Sequence, residues 1–219
     1  MYLLYGNQLS TYCAKVRAVL RHKQVAFEDL APPDGYGSDA YRALIPMGTV
    51  PGLVGADIVL SESEAICEYL EESYPLPAML PSSPAARAKA RSYAHIHDCW
   101  VEPQLRALYA HANPAARKPE AITQHVNGFN RRLNEFANYA SPDPYLMGAS
   151  LSIADCAWPT TLTQARLMFG ALGETFAMPA NLQPWLDTLF AHPAIAPGVA
   201  QCESEMLAWF DRLAAKPVD

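Results

Sequence analysis

The amino-acid sequence predicts a small α/β domain followed by an all-helical domain. Strand patterns alternate with helical patterns over the first third of the chain, a proline-rich stretch follows at 74–84, and no marked strand pattern appears beyond it. The 219 residues, of which 51% are hydrophobic, suffice for two small domains with a buried core. We therefore predict domains at 1–77 and 85–219, joined by a linker at 78–84.

The first elements predict a βαβ unit. Tyr2–Tyr5 forms a short apolar strand pattern that ends at Gly6, and a helix follows from about Thr11. The apolar face of this helix carries Val16, Val19 and Leu20, and its charged residues Lys15, Arg17 and His22 lie off that face. Residues 25–27 predict a second strand, which lies parallel to the first because a helix connects the two.

A ββα unit is predicted next. A loop at 32–37 and a short helical piece at 41–44 precede two apolar runs, Pro51–Val54 and Ile58–Leu60. The short polar turn between these runs predicts an antiparallel hairpin. A helical pattern then extends over 62–73, so the first domain reads βαβ followed by ββα.

The second domain is predicted to be entirely helical. The helical patterns cover 85–111, 120–139, 152–169, 182–191 and 196–214. Ser152 and Asp155 have the spacing of a capping box, which predicts a buried helix start at that point.

Composition and motif content exclude several classes of protein. The net charge of −6 and the lack of a basic block argue against nucleic-acid binding. Five scattered cysteines without a CxxC pair favour a reducing cytoplasm over a disulfide framework. We expect no signal peptide, because the N-terminus enters a short strand pattern without a charged head and a long apolar segment. We expect no membrane span, because no apolar run approaches ~18 residues. His95 and His97 point to different faces of a helix without a third ligand, so no metal site is expected.

The turn between the first strand and the first helix contains candidate catalytic residues. A hydroxyl at Ser10, near the positive end of the helix, would stabilise a thiolate, but the same position also suits an N-cap. Cys13 is a rival nucleophile in the first helical turn or, alternatively, a small buried thiol. Tyr5 is a third candidate, and its strand position favours core packing.

Two later segments have the properties of a ligand site. Proline cannot donate to a β ladder, so Pro51 belongs at the first position of a strand or at a sheet edge. Glu62-Ser63 combines a carboxylate, a hydroxyl and backbone N–H groups at a helix start, which suits an ammonium and an α-carboxylate. Ser61 and Glu64 also fit a capping box for this helix, and both interpretations can hold together.

Five segments in order resemble the glutathione S-transferase family, and the resemblance covers nearly the whole chain. They are YGNQLSTYCAKVRAVL, LIPMGTVPGL, LSESEAICEYLEESYP, YLMGASLSIADCAWPTTL and NLQPWLDTLFAHPAI. The resemblance implies a thioredoxin-like N-terminal domain followed by an all-α C-terminal domain. It also implies a cytoplasmic homodimer that uses glutathione as co-substrate and needs no further cofactor.

The resemblance assigns roles to individual residues. It implies that Ser10 stabilises the glutathione thiolate, that Val50 pairs its backbone with the cysteinyl part of glutathione, and that Pro51 is a cis-proline. It further implies that Glu62 and Ser63 bind the γ-glutamyl group.

The glycyl end and the co-substrate pocket complete the expected site. Gly48 and Thr49 stand where many relatives have a lysine, glutamine or histidine that reaches the glycyl carboxylate, so we expect only Thr49 to contribute and affinity to be modest. Leu9, Trp100 and Tyr109 are candidates for the wall of the co-substrate pocket, because such walls are usually apolar and aromatic.

The function expected from these residues is glutathione transfer to a hydrophobic electrophile, with Ser10 as the catalytic residue. One alternative is a glutathione-dependent thiol–disulfide oxidoreductase that uses Cys13. The other is a non-catalytic binding or regulatory protein that retains the fold.

Overall fold

The computed structural model describes residues 1–215, so the last four residues of the predicted domain at 85–219 lie outside it. The first domain comprises β1 (Tyr2–Tyr5), α1 (Thr11–His22), β2 (Phe27–Leu30), α2 (Asp39–Arg42), β3 (Gly52–Val54), β4 (Val59–Ser61) and α3 (Ser63–Ser73). The sheet has the order β2-β1-β3-β4, in which β1 is parallel to β2 and antiparallel to β3. The predicted thioredoxin-like arrangement is confirmed.

The second domain is helical throughout the part of the chain that the structure describes. Its main helices are α4 (Pro84–Ile96), α5 (Glu102–Leu108), α6 (Pro119–Tyr139), α7 (Trp158–Leu172), α8 (Gln183–Ala191) and α9 (Ala196–Ala214). A π-helical turn at His97–Val101 joins α4 to α5. Most of the helix predicted at 85–111 is therefore continuous helical structure, but it is not a single α-helix. Over residues 1–215, no helix has the length and apolar character needed to cross a membrane.

The second strand starts later than the sequence predicted. We expected it at 25–27, and the structure has β2 at Phe27–Leu30. The reason is the end of α1: Gln24 adopts a φ of 54°, and the Val25 N–H donates to the Leu20 carbonyl at 2.9 Å. Val25 therefore closes the helix, and the strand begins two residues further on.

Helix α1 connects the two domains. It packs against α3 in its own domain and against α7 and α9 in the second. The core is continuous across this junction, because buried residues of the first domain, such as Leu4 and Val16, belong to the same cluster as Phe136 and Trp158 of the second. The rings of Phe136 and Trp158 stack with their centroids 4.1 Å apart. The N-terminal turn of α1, which begins after Ser10, therefore lies where the domains meet.

Two residues of the predicted linker, Met79 and Leu80, are buried and bonded to the first domain, whereas most of the segment is exposed. Glu71 accepts hydrogen bonds from the backbone N–H groups of Met79 and Leu80, each at 3.1 Å, and pairs with Lys23 at 2.6 Å. The Lys23 ammonium also donates to the Tyr74 carbonyl at 2.7 Å. These contacts join the ends of α1 and α3 to the connecting segment, and the domain boundary at 78–84 stays a prediction.

Candidate functional site

A cavity of about 430 Å³ lies between the two domains. The first domain contributes Tyr12, Thr49, Val50, Pro51, Glu62, Ser63 and Glu64 to its wall, and the second contributes His95, Asp98 and Cys99. The five residues that sequence reasoning predicted for glutathione binding, at 49–51 and 62–63, thus line one space. They come from two separate segments of the first domain.

The wall formed by Thr49–Pro51 is held by a buried tyrosine. The Tyr41 hydroxyl donates to the Thr49 carbonyl at 2.8 Å, and the Val50–Pro51 peptide bond is cis. β3 begins at Gly52, where a Cβ would come within 2.6 Å of the Ile45 side chain. Since β3 lies between β1 and β4, the chain segment just before the strand, and not a free strand edge, faces the cavity.

The start of α3 forms the opposite wall. Glu62 is exposed and has a φ of 72°, which costs a residue other than glycine of order 1–3 kcal/mol. Ser63, 7% exposed, opens the helix. The unpaired N–H groups of a helix start attract a carboxylate. The predicted capping box of Ser61 and Glu64 is wrong, because Glu62 occupies the N-cap and the Glu64 carboxylate pairs with Lys15.

A charge cluster around the buried Lys15 contributes Glu64 and Asp98 to the cavity wall. The Lys15 ammonium contacts Glu64 at 2.9 Å and Asp98 at 2.5 Å, and Asp98 also contacts His97 Nδ1 at 2.7 Å. The other ring nitrogen of His97 meets the Thr161 hydroxyl at 2.7 Å. We had predicted Lys15 off the buried face of α1, but it is completely buried and compensated by two carboxylates.

This cluster gives stability a predictable dependence on pH. Burial alone would raise the pKa of Asp98, but His97 and Lys15 outweigh burial and lower it from 3.8 to about 2. A lowered folded-state pKa stabilises the fold above the unfolded value, so we expect about 2 kcal/mol of the unfolding free energy to disappear as the pH falls from about 4 to 2. Urea unfolding of the wild type and Asp98→Asn at pH 7, 4 and 2 checks this.

The matched control for that experiment is Glu135→Gln, which removes an exposed carboxylate from a surface ion pair. Asp98→Asn should be less stable than the wild type at pH 7 and should lose less stability on acidification, whereas Glu135→Gln should follow the wild type. If the unfolding free energies of the wild type and Asp98→Asn fall by the same amount between pH 4 and 2, the lowered pKa of Asp98 is contradicted.

Ser10 is the N-cap of α1. Its Oγ accepts a hydrogen bond from the Cys13 backbone N–H at 3.2 Å, and the side chain is 5% exposed. Ser10 is not among the residues that line the cavity, but Tyr12, two residues later, is. The Tyr12 hydroxyl donates to Glu102 at 2.8 Å, which fixes this turn against the second domain.

Two cysteines near the cavity differ sharply in accessibility. Cys13 is buried beneath Gly6, and burial raises the pKa of its thiol although the Ser10 hydroxyl and the Arg17 charge act in the opposite direction. Cys99 is exposed, lines the cavity, and has its sulfur 3.4 Å from His95 Nε2. Of these two thiols, Cys99 is therefore the accessible one.

The three residues predicted for the co-substrate pocket do not lie together. Leu9 and Tyr109 are joined through Gln164, which donates to the Leu9 carbonyl at 2.9 Å and accepts from the Tyr109 hydroxyl at 2.7 Å. Trp100 instead lines a separate cavity on the side facing α6, with the Arg132 guanidinium 4.3 Å above its ring. We therefore leave Trp100 out of the co-substrate pocket.

Sequence reasoning missed half of the cavity wall. The missed residues are Tyr12, Glu64, His95, Asp98 and Cys99. A helix brings residues four apart onto one face, so the spacing of His95 and Cys99 was a usable signal. The approach of Tyr12 and Asp98 depends on how the start of α1 meets the π-helical turn at His97–Val101, and no local pattern encodes it.

Known proteins share this architecture. Residues 4–78 match the family model described as "Glutathione S-transferase, N-terminal domain". The chain is 39% identical to a maleylpyruvate isomerase from Ralstonia sp over 70% of this chain and 77% of that protein. It is 32% identical to a stringent starvation protein A homolog from Pasteurella multocida over 70% and 69%.

A solved structure agrees over nearly the full length. The tau-class glutathione S-transferase from mango, Mangifera indica, superposes with a TM-score of 0.81 at 27% identity and covers 98% of both chains. The family model matches the first domain, relatives match 70% of the chain, and this superposition spans both domains, so the chain belongs to the glutathione S-transferase family.

Proposed function

We propose that the protein is a glutathione transferase in which Ser10 stabilises the glutathione thiolate for attack on a hydrophobic electrophile. The observation that carries the proposal is the convergence of Thr49, Val50, Pro51, Glu62 and Ser63 on one cavity beside the start of α3. Family membership supports glutathione as the ligand of that cavity.

The geometry favours one orientation for the tripeptide. Its γ-glutamyl carboxylate would meet the helix start at Ser63, and its ammonium would meet the exposed Glu62 carboxylate. The cysteinyl backbone would pair with Val50 on the opposite wall, and Thr49 would take the glycyl end. The sulfur then points toward the N-terminal turn of α1.

That turn has two features that stabilise a thiolate. A free thiol has a pKa of about 8.5 and is mostly protonated at neutral pH. The start of α1 carries a partial positive charge, and the Ser10 hydroxyl, which accepts from the Cys13 N–H, has a proton to donate. Together they favour the thiolate, which attacks an electrophile held near Leu9 and Tyr109.

Glutathione binding is the first test of the proposal. We expect calorimetry to detect binding to the wild type, and we expect Ser63→Ala to raise the Kd about 10- to 100-fold, because it loses a hydrogen bond to a charged group. Ser73→Ala, exposed at the other end of α3, is the matched control and should bind like the wild type. The wild type failing to bind glutathione at millimolar concentration would remove the enzyme proposal.

That negative outcome would favour the non-catalytic alternative. The 32% identity to a stringent starvation protein A homolog makes a binding or regulatory protein with this fold the interpretation that would remain. The Ralstonia relative, named maleylpyruvate isomerase, makes a maleyl compound a co-substrate to assay first if binding is found.

Thiol–disulfide exchange is the second candidate activity. Because Cys99 is exposed and lines the cavity, we propose Cys99, and not Cys13, as its nucleophile. His95 would accept the Cys99 proton; the thiolate would attack a glutathionylated substrate, release the substrate thiol and hold glutathione as a mixed disulfide. A second glutathione thiolate would displace Cys99 and leave as glutathione disulfide. The buried Cys13 offers no comparable access.

We also propose that the protein works as a cytoplasmic homodimer, as the family resemblance implies. The five cysteines are all free, which fits a reducing compartment.

A further inference from the structure

Gln164 is a buried amide on α7 that contacts three separate parts of the chain. Its Nε2 donates to the Leu9 carbonyl at 2.9 Å and to the Cys202 sulfur at 3.0 Å. Its Oε1 accepts from the Tyr109 hydroxyl at 2.7 Å. The side chain thus joins the turn before α1 to the end of α5 and to α9.

The contacts fix the orientation of the amide. The Leu9 carbonyl only accepts hydrogen bonds, so the nitrogen of Gln164 must face Leu9 and the oxygen must face Tyr109. Both N–H donors and the oxygen then have partners. A side chain with this complete set of partners in a buried position is rigid.

The Leu9 carbonyl belongs to the turn that presents Ser10. The other side of this turn is held by Asn7, whose Oδ1 accepts from the Leu9 N–H at 2.8 Å and whose carbonyl accepts from Arg17 at 3.0 Å. Gln164 donates to Leu9 from the second domain, 155 residues away in sequence. Residue 10 follows directly, so a shift of the Leu9 peptide moves the Ser10 hydroxyl.

We propose that Gln164 is a positioning residue for the thiolate-stabilising hydroxyl. It holds the Leu9 carbonyl and thereby sets where the Ser10 hydroxyl lies relative to the glutathione sulfur. The inference rests on the proposed function of Ser10. It also gives Tyr109, which we had predicted as part of the pocket wall, a second role: its hydroxyl keeps the Gln164 amide in the orientation that reaches Leu9.

Gln164→Met tests this role, because methionine has a similar length and donates no hydrogen bond. The probe is glutathione alone, with the ionisation of the bound thiol followed by its ultraviolet absorbance across pH. We expect the midpoint of that titration to rise by about one pH unit, which corresponds to about a tenfold loss of thiolate at pH values well below the midpoint. The Kd for glutathione below this midpoint should change less than about twofold, because the cavity wall at 49–51 and 62–63 is untouched.

Thr163→Val is the matched control. Thr163 is the preceding residue on α7, is also buried, and donates only to the Pro159 carbonyl of its own helix at 2.8 Å. Removing the Thr163 hydroxyl should lower the melting temperature of the protein and leave the thiol titration of bound glutathione unchanged. An unchanged midpoint in Gln164→Met, or an equal shift in Thr163→Val, would overturn the inference.

Tyr109→Phe decides the matter if Gln164→Met does not fold. This variant removes the hydroxyl that orients the amide, so the midpoint should rise by a smaller amount, and no rise would again overturn the inference. Ser10→Ala is measured beside these variants. A shift in Ser10→Ala without one in the Gln164 series refutes only the positioning role, whereas no shift in Ser10→Ala refutes the proposed function itself.

Discussion

Ser10→Ala is expected to lower kcat/KM for glutathione conjugation by about 10²-fold at pH 7. The reason is the loss of the Ser10 hydroxyl, which caps the positive end of α1, since removing a donor that stabilises a developing or resident anion typically costs this much. Steady-state kinetics across pH measures the effect. Ser10→Thr keeps a hydroxyl at the same position and should recover part of the activity.

The control must separate catalysis from helix capping. Ser10 accepts from the Cys13 N–H, so its loss should also cost about 1 kcal/mol of stability. Ser83→Ala removes the corresponding N-cap of α4, where Oγ accepts from the Ala86 N–H at the same distance of 3.2 Å. Ser83→Ala should lose a similar amount of stability and no activity, and equal loss of activity in both variants would contradict a catalytic role for Ser10.

The same assays distinguish the transferase from the exchange activity. Under the transferase proposal, Cys99→Ser retains conjugation, because Cys99 contributes no group to thiolate stabilisation. If disulfide exchange is the main reaction, Cys99→Ser abolishes the reduction of a glutathionylated substrate and Ser10→Ala does not. The second result would replace our assignment of Ser10.

Most elements could be predicted because their sequence patterns are local. The alternation of β1, α1 and the hairpin, and the helical runs after the proline-rich segment, follow from hydrophobic period and turn residues alone. The start of β2 could not be placed, because Gln24 adopts a left-handed backbone that is uncommon for residues other than glycine. The helix predicted at 62–73 is present as α3, but its expected capping box is absent, because Glu62 has a positive φ and occupies the N-cap.

In the candidate site, too, local motifs predicted some residues, and others are brought in only by the tertiary fold. The residues at 49–51 and 62–63 stand in contiguous motifs, and the fold brings those two segments to one cavity. Burial of Lys15 could not be foreseen, because a charged side chain is buried only when distant partners compensate it, and Asp98 is 83 residues away. The error at Trp100 is the opposite one. We expected it in the wall of the co-substrate pocket, but its side chain lies on the side of the helix that faces α6.

Asp155→Ala is expected to lower the free energy of unfolding by about 3–5 kcal/mol. The carboxylate is completely buried and accepts four hydrogen bonds: from the Ser152 N–H at 2.9 Å and hydroxyl at 2.6 Å, from the Leu146 N–H at 2.9 Å and from Trp185 Nε1 at 2.8 Å. Each donor left unpaired in the core costs about 1–3 kcal/mol, partly relieved by rearrangement. Urea unfolding monitored by tryptophan fluorescence measures the loss.

The size of that loss tests whether Asp155 does more than cap a helix. The sequence predicted a capping box with Ser152, and losing a cap costs at most about 2 kcal/mol. Ser152→Ala should therefore stay within that range. The bonds to Leu146 and Trp185 come from tertiary structure and join the loop before this helix start to α8, so Asp155→Ala should exceed the cap value clearly. A loss of 2 kcal/mol or less would mean that the two tertiary bonds add little, and that the carboxylate acts only on its own turn.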